Sequence, residues 1–218
     1  MLKKKDYRTI ESLVWVNCLR ELLPLMQQVY SMTERKEVKG EVVSNNEKIF
    51  SIYERHTDII VKGKREVEFG HKINLTDGRS NLILDCQVLR GNPSDSHLFN
   101  PSIDRIEEFY GKVPKNITAD GGYASKANQQ RAADQGLVNV VFNKIVSSMK
   151  NLVSSKNMQT RLKKWRSGIE ATISNLKRRF DISRCNWKGW EHFCSKVLWS
   201  AIGYNIRVMT GLLVAQIR

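Results

Sequence analysis

Acidic residues are scarce in this 218-residue chain: 22 Asp and Glu stand against 36 Lys and Arg, for a formal charge of +14 and a pI near 9.8. Such an imbalance argues against a cationic partner and for a polyanionic one, nucleic acid ahead of an anionic membrane surface. Cysteine is also sparse. Cys18, Cys86, Cys185 and Cys194 show no C-x-x-C spacing, and only His192 lies between the last two. That pattern excludes a disulfide framework and a zinc ribbon, and leaves reduced, partly buried thiols of a cytosolic protein. The three lysines after Met1 lead into a stretch broken by Asp, Arg, Glu and Asn, so no secretory leader is read. No uninterrupted apolar run approaches the roughly 18 residues of a membrane span. The longest candidate, residues 197–217, contains Asn205 and Arg207 and is periodic, which predicts a core helix with Trp190, Val197, Leu198, Ala201, Met209 and Leu212 packed inward. Internal repeats and low-complexity tracts are absent from the sequence, and its 41% hydrophobic and 27% charged residues suit a globular protein with one substantial core.

Taken in order, residues 7–23 carry a helical pattern that Pro24 is expected to interrupt, with residues 25–32 continuing after a kink. Residues 33–46 are polar and read as a linker, dividing a helical segment, 1–46, from a core, 47–218. Residues 49–53 and 58–61 look extended. From residue 67 the apolar period becomes two: 67–75 and 81–89 read as a hairpin across Asp77-Gly78-Arg79-Ser80. Ser94 or Asp95 then caps a helix to about Tyr110, with Leu98, Phe99, Ile103, Ile106 and Phe109 inward. The strand 116–119 runs directly into Asp120-Gly121-Gly122, whose glycines permit a tight turn. Ser125 opens a helix that Gly136 stops, and 138–142 is another short buried strand. A β-α-β unit of this length predicts a parallel pair, and in such sheets chemistry gathers outside the carboxyl ends of the strands, where Asp120 falls.

Residues 161–180, RLKKWRSGIEATISNLKRRF, form the strongest amphipathic helix in the chain. Leu162, Trp165, Ile169, Ile173, Leu176 and Phe180 make one stripe in steps of three and four. Arg166, Glu170 and Lys177 follow a neighbouring line, and Glu170 is the only acid of the twenty residues. An Arg-Glu surface pair is the ordinary explanation of that spacing, as a turn former is of an Asp before Gly-Gly. From Lys144 to Lys188 twelve Lys and Arg face two acids, a cluster poorly explained as a merely solvated surface. Trp187 and Trp190, flanking Lys188-Gly189, suit stacking on an unpaired base or, more commonly, core packing.

The order of hairpin, helix, strand with Asp120, helix, strand, basic loop and helix with Glu170 resembles the ribonuclease H-like core of bacterial insertion-sequence DDE transposases. The resemblance runs from about residue 48 to 213 and rests on EFGHKINLTDG, ITADGGYAS and RSGIEATISNLKRRF. The family's signature of Tyr, Arg, Glu and Lys is met by Arg166, Glu170 and Lys177 at the required gaps, with Lys163 at the Tyr position. The resemblance implies an α/β fold: a ribonuclease H-like mixed sheet of hairpin and parallel strands flanked by helices, with extra helices at both ends. It implies that Asp120 and Glu170 are catalytic and hold Mg²⁺ or Mn²⁺. It implies double-stranded DNA, transposon ends and target, as partner, bound by Arg166, Lys177, Lys163, Lys164, Arg178 and Arg179. A homo-oligomer on DNA, no membrane partner, and a cytoplasmic, nucleoid-associated bacterial location follow from the same likeness.

One departure is plain. The family's first catalytic Asp precedes the hairpin, and upstream of it the sequence offers only Asp6 and Asp58, neither in a strand-Asp-Thr or strand-Asp-Ser context. Asp77 and Asp85 lie within the hairpin, as a turn residue and a polar strand position. The expectation is an amino-terminally truncated transposase without its first core strand. Three functions stay open: a DDE transposase with an incomplete core, a DNA-binding remnant that does not cut, and another ribonuclease H-like nuclease acting on RNA–DNA hybrids.

Overall fold

A computed structural model describes residues 4–62, 66–143, 145 and 149–217, and the chain divides into two units, Met1–Gly70 and His71–Arg218. Lys144, counted above in the basic cluster, lies outside the described residues.

The first unit opens with one long helix, α1 (Lys4–Thr33). Pro24 lies inside it, so the expected interruption does not occur; proline removes one backbone donor, and the turns on both sides carry the helix through. Leu13, Trp15, Leu19 and Met26 stay exposed along it. After α1, Arg35 holds Glu41 at 2.9 Å and Glu47 at 2.6 Å, closing the polar segment on itself. Residues 49–53 form bends instead of the extended piece expected. The strands β1 (Asp58–Lys62) and β2 (Glu66–Gly70) pair antiparallel, with Asp58 opposite Gly70.

The expected strand 67–75 is therefore two strands. Gly70 has φ +144°, a backbone angle that suits glycine, and the chain breaks there. The second unit begins just beyond. Its β3 (Ile73–Asp77) pairs antiparallel with β4 (Ile83–Val88), with an irregularity between Thr76 and Asp77. Helix α2 (Asp95–Tyr110) follows, with Leu98, Phe99, Ile103 and Ile106 buried. Phe109, expected inward, is exposed and lies under Arg105, whose guanidinium carbon is 4.9 Å from the ring centre. Strand β5 (Asn116–Ala119), helix α3 (Lys126–Asp134) and strand β6 (Asn139–Phe142) form the β-α-β unit, and β5 and β6 are parallel as expected. Ser125 caps α3 by accepting from the Asn128 N–H. The two remaining helices are α4 (Lys156–Arg179) and α5 (Trp190–Ile217).

Among the described residues the strands form three two-stranded sheets, where one mixed sheet was expected. Burial follows the same division. One cluster, with Phe99, Ile103, Val140 and Phe142, joins β5 and β6 to α2 and α3. A second, with Ile83, Leu176, Ala201 and Tyr204, joins β3 and β4 to α4 and α5. Alternation along β3 and β4 explains how the hairpin serves both helical layers: Asn74 donates to Ser102 on α2, whereas Leu75 and Cys86 pack against the α4–α5 cluster. Asp85 also points to α2, where Arg105 grips it through two 2.7 Å bonds. Burial opposes ionisation of Asp85, but the Arg105 guanidinium and the Gln87 amide outweigh it and hold the carboxyl below its ordinary value.

Helix α5 is long and apolar enough to cross a membrane by length and composition alone. Its first half instead packs in the second cluster, with Val197, Ser200, Ala201 and Tyr204 buried. Leu198, Met209 and Leu212, expected inward, are exposed. The cysteines are free; Cys86 is a half-buried thiol pushed up to about 11 by burial and the neighbouring Asp85 charge, whereas Cys18 is exposed.

Candidate functional site

Strand β5 delivers Asp120 to its carboxyl end, as the sequence predicts. Asp120 accepts the Gly121 N–H at 2.8 Å and starts a 3₁₀ turn over Gly121–Tyr123. The two glycines have a different use from the one expected, since neither has a positive φ. A Cβ on Gly122 would lie 2.6 Å from Asp95 Oδ2, so the position accepts no side chain while Asp95 stays there. Lys72 in turn anchors Asp95 at 2.9 Å. Tyr123 donates its hydroxyl to Asn74 at 2.8 Å, joining the turn to β3; burial, then the Asp95 and Asp120 charges, push its phenol up to about 12, so the donor keeps its proton.

Helix α4 brings Arg166 and Glu170 to the same place. Arg166 Nη1 lies 3.0 Å from Asp120 Oδ1, and its Nη2 donates to Glu170 Oε1 one helical turn away. The two carboxylates are largely exposed, but the Arg166 side chain is only 18% exposed. One half-sequestered guanidinium therefore joins acids separated by fifty residues of sequence. An exposed i,i+4 pair alone contributes a few tenths of a kcal/mol, about the same as any surface pair. The contact to Asp120 is what lifts this one above a surface pair, because it requires β5 and α4 to be packed together.

Below this cluster lies a cavity of about 540 Å³, walled by β3, β5, α2 and α4. Trp165, Ile169 and Ile173 of α4 face it. Asp77, at the end of β3, also faces it, and is pushed up to about 6 by burial, against a hydrogen bond from Thr172 that favours the charged form. Sequence reasoning took Asp77 for a turn residue; its signal was present only in its partner, Thr172, which sits 95 residues away and is itself buried.

The other expected residues fall as follows. Lys163 and Lys177 are exposed on the Arg166–Glu170 line of α4, Lys164 and Arg179 are exposed on the same helix, and Arg178 folds back onto Ser174 at 2.6 Å. Trp187 is exposed. Trp190 is not an open platform: Arg90 lies 4.0 Å from its ring centre, and His71 and Phe193 pack around it. Asp85, engaged by Arg105, is turned toward α2, and Asp58 belongs to the other unit.

The donor set suits a hard cation in part. Mg²⁺ is commonly held by one or two carboxylates together with water and substrate phosphate, and Asp120 with Glu170 meets that requirement for one ion. Among the described residues, no group of three or more His, Cys, Asp or Glu is placed to hold an ion.

A family model described as the transposase DDE domain matches residues 60–206, well over half of the chain. No curated protein and no solved structure matches it.

Proposed function

Because the chain belongs to the transposase DDE domain family, we propose that it binds double-stranded DNA and serves metal-dependent phosphodiester cleavage and strand transfer, through a ribonuclease H-like arrangement of β3–β6. The observation that carries this reading is the convergence of Asp120, Arg166 and Glu170 from β5 and α4. Asp120 and Glu170 are the residues that would hold Mg²⁺ or Mn²⁺. A bound divalent ion supplies Lewis-acid activation of the phosphate and lowers the pKa of a bound water. Arg166 balances the two carboxylates and keeps them together in the absence of other charge. When a phosphodiester arrives, the guanidinium can turn its donors to a non-bridging oxygen and release the carboxylates. Lys163 and Lys177 flank it on the same line and contact adjacent phosphates, with Lys164, Arg178 and Arg179 extending the track. Assembly as a homo-oligomer on DNA, and a cytoplasmic, nucleoid-associated location, accord with that role.

A second reading, a protein that holds DNA without cutting it, is favoured by the two-carboxylate donor set and by the engagement of both acids with Arg166. Titration of Mn²⁺ and Mg²⁺ into the chain, with a supercoiled-plasmid nicking assay on the same samples, separates the two. Metal binding and nicking that both disappear in Asp120→Ala and Glu170→Ala, with DNA affinity retained, establish the first. Tight, salt-sensitive DNA binding without metal uptake or nicking establishes the second, and nicking that survives both substitutions removes the site altogether.

A further inference from the structure

Asp120 depends for its direction on the turn that follows it. Its side chain is 64% exposed, accepting from the Gly121 N–H and from Arg166. A carboxylate so open to solvent keeps one direction only if the backbone beneath it is fixed. That backbone continues into the 3₁₀ turn over Gly121–Tyr123. Two backbone bonds close the turn, Tyr123 N–H to the Asp120 carbonyl and Ala124 N–H to the Gly121 carbonyl, both at 3.1 Å.

The turn rests on the start of α2. Buried Asn128 fastens the two together, its Nδ2 donating to the Ser96 carbonyl at 2.7 Å and to the Tyr123 carbonyl at 2.9 Å. Asn100 donates to Asn128 Oδ1 at 2.9 Å, so the buried amide is satisfied on both sides. Next to Ser96, Asp95 lays Oδ2 against Gly122, 2.6 Å from where a Cβ would stand. Lys72 holds the other oxygen of Asp95 at 2.9 Å and is itself tied to the Pro93 carbonyl at 2.7 Å. An acid in the first turn of a helix is ordinarily explained by the helix dipole. The dipole accounts for the charge of Asp95, but not for its close contact with the residue two beyond Asp120.

We propose that Asp95 is a positioning residue for Asp120: braced by Lys72, it seats the Gly121–Tyr123 turn and so sets the direction in which Asp120 meets Arg166 and a metal ion. The part that concerns metal rests on the catalytic reading of Asp120; the part that concerns Arg166 does not. Asp95 acts by shape and support, through Gly122, and touches neither metal nor DNA. Support of this kind behind a ligand is worth about ten- to a hundredfold in metal affinity or activity.

Three variants of the full chain test it. Asp95→Ala removes the brace, Asp95→Asn keeps its shape without its charge, and Gly122→Ala drives a methyl group into it. The first readout needs no metal: the NMR exchange rate of the Gly121 N–H, which Asp120 accepts. Asp95→Ala and Gly122→Ala should speed that exchange by about threefold or more, the worth of one hydrogen bond, and Asp95→Asn should restore the parent rate. Asp104→Ala, which removes another ion pair of α2, that with Arg131, should leave Gly121 unchanged. The second readout is Mn²⁺ affinity by calorimetric titration. It should fall about ten- to a hundredfold in Asp95→Ala and Gly122→Ala, and return in Asp95→Asn. Gly122→Ala combined with Asp95→Ala should do no more harm than Asp95→Ala by itself, because the clash is gone. An unchanged Gly121 rate in Asp95→Ala, or an equal change in Asp104→Ala, overturns the proposal. Asp95→Asn as damaging as Asp95→Ala makes the charge the requirement and overturns it as well. A parent chain that takes up no metal defeats the catalytic reading only, since the Gly121 rate is read without metal.

Discussion

At the scale of single residues, the cavity and its rim hold acids in contrasting environments. Asp120 and Glu170 share one guanidinium at the surface, whereas Asp77 sits deeper, with the Thr172 hydroxyl, 3.4 Å away, and its own backbone N–H to favour its charge. Burial raises Asp77 from an ordinary value near 3.8 to about 6. The folded chain therefore holds that proton more tightly than the unfolded chain does, and stability falls as pH rises between the two values. Below about pH 4 both states are protonated and no penalty exists; above pH 6 the penalty is complete. Asp77→Asn keeps the shape and the Thr172 contact while removing the charge. By calorimetry it should raise Tm by a few degrees at pH 7.5 and leave it unchanged near pH 4. An equal shift at both pH values would mean that packing, and not ionisation, is responsible.

At the scale of elements, the sequence was most legible where one helix or strand answers to one local signal. Ser125 before α3, the start of α2 and its inward Leu98, Phe99, Ile103 and Ile106, and the β5–α3–β6 unit with Asp120 at its strand end all appear where their patterns place them, although Ser94 stands at the start of α2 without a side-chain bond to the helix. The positions of Asp120 and Glu170 were legible for the same reason, since Asp120 follows a strand and Glu170 lies beside a helical stripe. Errors arose where a tertiary choice outweighed the pattern. Residues 67–75 alternate without interruption, but Gly70 at φ +144° divides them between two sheets. Helix α5 is apolar around much of its circumference, so periodicity alone does not reveal which side meets β4; Asn205 and Tyr204 settle it through Ile83 and Thr172. Val197 is 2% exposed on that side and Leu198 46% exposed beside it. Val197→Ala should then cost about 2 kcal/mol in chemical denaturation, by lost burial and residual cavity, whereas Leu198→Ser should change stability by less than about 0.5 kcal/mol. A large loss at Leu198 would place it in contact with a partner in solution.

At the scale of the whole molecule, charge divides as sharply as structure. Met1–Gly70 holds 13 Lys and Arg against 11 acids, while His71–Arg218 holds 23 against 11, so the excess of +14 is concentrated as +12 in the second unit. Four bases of the first unit also have carboxylate partners: Arg35 with Glu41 and Glu47, Lys36 with Glu37, Lys39 with Glu34 and Arg55 with Glu21. On α4, among the described residues, the ion pairs are those of Arg166, and its other bases face solvent or the helix backbone. A polyanion gains most by neutralisation from cations that have no carboxylate to leave, and each phosphate contact contributes about −0.9 to the slope of log K against log salt. The full chain should bind duplex DNA with a steep slope. Replacing Lys163, Lys164, Arg178 and Arg179 by Ala should reduce that slope by about 3 to 4. The same number of substitutions in the first unit, at Arg20, Lys36, Lys39 and Arg55, should reduce it by less than about 1. Affinities measured by fluorescence anisotropy over a range of KCl concentrations give both numbers. A larger loss from the first unit would move the DNA track away from Asp120 and Glu170, and with it the reason for placing cleavage chemistry at that end of β5.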